Sequence, residues 1–110
     1  MDLYKVIIAP KALSMLNNYL NYIQYALMNE EAAKQVLNDA IETEEQLEII
    51  APVLQFCVNP RLRSEGYRAI QFKKHNYVMS YKIVNECVYA EAIYHLFQDY
   101  EKKFISDFLE

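Results

Sequence analysis

The sequence predicts an α+β fold: an N-terminal strand, a two-helix hairpin, a three-stranded antiparallel meander and a short C-terminal helix. Three observations predict it. Two consecutive apolar stripes with helical spacing fill residues 10–51; β-branched and aromatic segments flank them on both sides; and turn residues divide the second of these flanks into three strands. With 110 residues and 54% apolar side chains the chain can bury one core, so residues 1–110 are read as a single domain.

Residues 3–8 form the first predicted strand, rich in β-branched and aromatic residues, and Pro10 stops it while suiting the first position of a helix. Leu13, Leu16, Leu20, Ile23 and Leu27 recur at spacings of three and four, which gives that helix one apolar stripe. Asn29 is the expected N-cap of a second helix, with Glu30 and Glu31 favourably placed at its positive end. That helix carries Ala33, Val36, Leu37, Ala40, Ile41, Leu47 and Ile50 and is closed by Pro52. Residues 52–65 read as a connecting loop. Strands are expected at 66–72, 77–84 and 87–95, joined by 73–76 and by a tight turn at Asn85-Glu86. Strict alternation then places Arg68, Ile70 and Phe72 on one face, and Cys87, Tyr89, Glu91, Ile93 and His95 on one face of the last strand. Residues 97–108 close the chain with a helix carrying Tyr100, Phe104 and Phe108.

The charge is polarised. The net charge of -4 conceals a segment at 29–51 with one lysine against seven carboxylates, and a segment at 60–84 with six cations against Glu65. Cys57 and Cys87 lack metal-ligand spacing and read as reduced core residues, and with only two histidines no metal or other cofactor is expected. The N-terminus lacks the pattern of a secretion signal and no apolar run is long enough to span a membrane, so a cytoplasmic protein without a membrane partner is expected.

Tyr4-Lys5-Val6-Ile7-Ile8 before Pro10-Lys11-Ala12 opens a series of short motifs. Pro60-Arg61-Leu62, Gly66-Tyr67-Arg68, Tyr77-Val78-Met79-Ser80-Tyr81 and Ile93-Tyr94-His95-Leu96-Phe97-Gln98-Asp99-Tyr100 follow in order. Together they resemble the RelE/ParE superfamily of bacterial toxins over nearly the whole chain. The resemblance implies a small sheet packed on a helical hairpin. It also implies a growth-inhibiting toxin of a type II toxin–antitoxin system, neutralised by a cognate antitoxin. RelE-like members cleave mRNA in the ribosome, and ParE-like members poison DNA gyrase.

Cleavage of RNA by its own 2′-hydroxyl needs a proton acceptor, a proton donor and cations for the phosphorane charge. Arg68 is the candidate for that charge and falls, by the resemblance, on the strand that holds a catalytic arginine in RelE-like toxins. His95 is the candidate acid or base, and Tyr100 or Tyr94 the candidate for base stacking or proton transfer. Lys73, Lys74 and Lys82 are the candidate nucleic-acid contacts, with His75 beside the first two at the hairpin tip. Set against this, so sparse a basic set on an acidic chain argues for weak RNA affinity. The long helical hairpin and Gln98-Asp99-Tyr100 look closer to the ParE-like branch. A catalytically inactive antitoxin-binding module is the remaining alternative.

Overall fold

The computed structural model describes residues 3–109; Met1, Asp2 and Glu110, which the expected 1–110 domain includes, lie outside the described residues. Strand β1 spans Lys5–Ile8. It is shorter than expected because Tyr4 donates its N–H to Glu48 O (2.9 Å) instead of to a strand, and pairing begins with Lys5 N–H on Glu86 O (3.2 Å). Ala9 stays extended and Pro10 opens helix α1, Pro10–Asn21. One π-helical turn, Tyr22–Ala26, continues α1. Met28 then turns the chain with φ 51°. The Asn29 side chain accepts the Ala32 N–H (3.0 Å) and caps helix α2, Glu30–Ile50.

The two helices bury part of the expected stripes, Leu16, Ala33, Val36, Ala40 and Leu47 among them, and add residues the apolar spacing does not suggest. Ala12 and Leu16 are buried on α1, whereas Leu13 and Leu27 are exposed. On α2, Ala33, Val36, Asp39, Ala40, Thr43 and Leu47 are buried, and Leu37 and Ile41 face outward. The contact face alternates small and large residues, Ala12 and Ala40 letting the helices approach the sheet and Leu16, Val36 and Leu47 filling the space between. The expected loop at 52–65 contains a 3₁₀ turn, Ala51–Val53, and a one-turn helix α3, Pro60–Ser64, whose N-cap Asn59 accepts from Arg61 N and Leu62 N. Gly66 leaves α3 at φ 88°, a conformation that costs an L side chain about 1–2 kcal/mol. The C-terminal helix α4 is only Tyr100–Phe104, capped by Asp99 and followed by a π-helical turn, Ile105–Leu109; Phe97 precedes it and is exposed.

Strands β2 (Tyr67–Gln71), β3 (Tyr77–Val84) and β4 (Cys87–His95) form the expected antiparallel meander. The sheet has four strands, however, in the order β1-β4-β3-β2, and β1 lies parallel to β4, from Lys5 opposite Cys87 to Ile8 opposite Ala90. It is therefore a mixed sheet. Asn85 supplies the positive φ (58°) of the β3–β4 turn.

The expected common face of β4 breaks at Glu91. Ser80 pairs with Ala92 and Tyr81 with Ala90, so Glu91 is an extra residue on β4. Such a bulge shifts the alternation by one. Val88 and Ala90 consequently share a core cluster with Ile93, while Ala92 and Tyr94 join another. The first cluster packs the α1–α2 hairpin on the sheet through Leu16, Val36, Leu47, Ile70, Met79 and Tyr81. The second packs α3 and α4 on the opposite face through Leu62, Tyr67, Val78, Tyr94 and Phe104. No helix among the described residues is long and apolar enough to cross a membrane.

Candidate functional site

Arg68 lies on the face of β2 expected from the alternation, beside Tyr81 of β3. Its guanidinium is held through one nitrogen. Nη1 donates to Pro52 O (3.1 Å) and to Leu54 O, and the group stacks over the Phe56 ring at 3.9 Å. Among the described residues it has no carboxylate partner. Through Nη1 the group staples the segment after α2 to the sheet edge, where Phe56 bridges to Arg68.

His95 lies at the far end of the sheet, paired with Tyr77. Tyr77 and Tyr81 are four positions apart on β3, so about 13 Å of strand lies between the level of His95 and that of Arg68. The imidazole packs against Tyr77 and Phe97, each with ring centroids 5.4 Å away, and its Nδ1 accepts the Phe97 N–H (3.3 Å). Tyr94 is 1% exposed and donates its hydroxyl to Asp107 Oδ2 (2.7 Å); burial and that carboxylate push its phenol far up. Tyr100 belongs to the cluster on the opposite face from Arg68, and burial, with Glu101 beside it, raises its phenol too. Neither phenol is suited to give up a proton near neutrality. Arg68, His95 and Tyr100 thus do not converge on one reacting atom.

The expected nucleic-acid contacts are also dispersed. Lys82 holds its ammonium 5.0 Å over the Tyr67 ring, on the face opposite Arg68. The hairpin tip with Lys73, Lys74 and His75 is docked on the acidic helix. Asp39 Oδ2 accepts the Lys74 backbone N–H (2.9 Å) and lies 2.8 Å from His75 Nδ1, while Lys74 Nζ is 3.7 Å from Glu42. Asp39 is 1% exposed, and this clasp is what makes a carboxylate tolerable inside the stripe of α2. The signal was available in the sequence, since Asp39 falls between Val36 and Ala40 on the buried side, but its partner was not.

The structure adds a groove at the β2 edge. Phe72 donates to Tyr77 O (2.9 Å), so Arg68, Ile70 and Phe72 bond toward β3, and the backbone groups of Ala69 and Gln71 point outward. Tyr67 O, of the same set, accepts the Cys57 N–H (2.9 Å), and with the Phe56–Arg68 bridge residues 55–57 cover this edge as far as Ala69, leaving Gln71 open. A cavity of about 520 Å³ lies along this edge, lined by Gln46, Ile50, Leu54, Phe56, Gln71 and Tyr100 among others. Glu101, which accepts from Val58 N and Asn59 N, ties α4 to one end of it. Among the described residues no group of three or more histidine, cysteine or acidic side chains is placed to hold a metal ion.

No family model and no curated protein matches the chain. Among solved structures it is similar to a chain described as "Chromosomal ParDE TA system from P. aeruginosa", with a TM-score of 0.71 and 14% sequence identity. The likeness covers 86% of this chain and 97% of that one, so the two share a fold.

Proposed function

We propose that this chain is the toxin of a type II toxin–antitoxin system, inhibiting bacterial growth until a cognate antitoxin neutralises it. The carrying observation is the likeness to a ParDE chain over 97% of that chain's length. The β2 edge supports the partner half of this reading: beyond the Phe56–Arg68 bridge the outward backbone groups of Gln71, beside an apolar groove, are placed to meet an extended segment from another protein.

The target is ParE-like, DNA gyrase, and not ribosome-bound mRNA. The dispersal of Arg68, His95, Tyr100 and Lys82 favours this choice, because phosphodiester cleavage needs its proton carriers and cations within reach of one phosphate. Induced expression in bacteria is expected to arrest growth, and the purified chain to inhibit supercoiling by purified gyrase. Arg68→Lys and His95→Gln are expected to retain that inhibition. New mRNA ends that vanish in both variants would instead establish the RelE-like endonuclease, and a chain without any growth effect would be an inactive antitoxin-binding module.

A further inference from the structure

A second cavity, of about 490 Å³, opens between α2 and the β2–β3 hairpin tip, lined by Gln35, Asn38, Asp39, Glu42, Lys74 and His75. Two features of it are unexplained by the fold alone. The first is Asp39, whose Oδ2 takes both contacts from the hairpin tip while its Oδ1 is buried without a partner among the described residues. The second is the uncompensated charge of α2. Within the lining Asp39 and Glu42 face Lys74 and His75, the Glu42–Lys74 pair being an exposed one of small net strength, and elsewhere on α2 none of Glu31, Glu44, Glu45 and Glu48 has an ion-pair partner among the described residues. Burial, with Glu48 and then Glu45 beside it, holds the Glu44 carboxyl above the usual range.

This cavity and the groove at the β2 edge lie along one flank of α2. Gln35, Asp39, Glu42, Gln46 and Ile50 follow one another at spacings of four, three, four and four, the first three lining the cavity and the last two the groove. The stretch from Gln35 to Ile50 is about 22 Å of helix, the reach of roughly seven residues of extended chain.

We infer that a basic side chain of the neutralising partner enters this cavity, between Glu42 and the buried Asp39, while the partner's extended segment continues into the groove. Arginine suits it better than lysine, because a planar fork can take both oxygens of Glu42 while its spread charge faces the buried Asp39 carboxylate. This rests on the reading of the chain as the target of a neutralising protein, and it assigns that protein's contacting segment a positive charge.

The probe is a short synthetic peptide of alternating valine and arginine, compared with the same peptide carrying glutamate in place of arginine. Binding is read by fluorescence anisotropy to the wild type, Gln35→Lys, Glu42→Lys and the control Glu86→Lys, whose exposed site lies in the β3–β4 turn. The arginine peptide is expected to bind, with at least about tenfold weaker affinity for the two cavity variants and little change for the control. Circular dichroism shows which variants are folded, and Gln35→Lys decides the matter should Glu42→Lys unfold. Equal losses in all three, or no preference for arginine over glutamate, overturns the assignment. Absence of growth arrest overturns the toxin reading alone, because the peptide measurement does not depend on toxicity.

Discussion

At the scale of single residues, most buried side-chain polar groups among the described residues are satisfied inside the protein, Asp39 Oδ1 and Glu91 Oε2 excepted. Tyr81 is 0% exposed and donates its hydroxyl to Ala51 O at 2.8 Å, joining the end of α2 to the middle of the sheet. Tyr81→Phe leaves a buried carbonyl without a donor and is expected to cost about 1–3 kcal/mol in urea unfolding; an unchanged midpoint would show that the carbonyl does not need the hydroxyl. The cysteines part company in a similar way. Burial, with Glu101 nearby, pushes the Cys57 thiol up to about 11, and the residue is 5% exposed, whereas Cys87 is half-buried. A thiol-alkylating reagent at about pH 8 is therefore expected to modify Cys87 first and Cys57 only after denaturation, as mapped by mass spectrometry. The sequence identified Arg68 and His95 as polar residues on strands. It did not disclose that Arg68 meets two backbone carbonyls, because those carbonyls come from a segment whose path depends on the 3₁₀ turn after α2.

At the scale of elements, α2 shows how a periodic pattern is legible in type but not in rotation. Asn29, Glu30 and the apolar spacing predict its start and its helical character, and the structure agrees. The expected stripe is wider than the buried one: Ala33, Val36, Ala40 and Leu47 are buried as expected, Leu37 and Ile41 at its margin are exposed, and packing adds Asp39 and Thr43. The β4 bulge is a comparable case: one unpaired residue, Glu91, overturns an alternation that is otherwise correct. The crowded carboxylates of α2 have a measurable consequence. Since the Glu44 carboxyl is raised in the folded state, its contribution to stability is fully present below its ordinary value of 4.5 and is lost as pH rises through the raised value. Glu48→Gln relieves an i,i+4 repulsion and is expected to stabilise the protein by about 0.2–0.5 kcal/mol at neutral pH. Thermal melts of both proteins at about pH 7 and about pH 4 check this, with the difference expected to disappear at the lower value.

At the scale of the whole molecule, the division into an acidic and a basic segment was legible, and its meaning changes with the structure. Much of the basic segment is spent internally: Arg61 on Glu65 and Leu109 O, Arg63 on Cys57 O, Arg68 on the carbonyls after α2, Lys74 on Glu42. These contacts hold the side chains in place without cancelling the charge of Arg63 and Arg68, whose partners are neutral carbonyls, so their geometry and not a loss of charge is what sets them apart from a phosphate clamp. The order of elements was equally legible. The place of β1 was not, because nothing local in residues 5–8 specifies a partner near the other end of the chain. That parallel pairing also sets a timetable for biosynthesis. Closing β1 onto β4 spans nearly the whole chain, making it the contact of greatest sequence separation in the sheet and a slow one to form. A nascent chain emerging from the ribosome can assemble its helical hairpin early but has no four-stranded sheet until Cys87–Ala90 has been synthesised, so stalled or truncated products leave β1 without its neighbour.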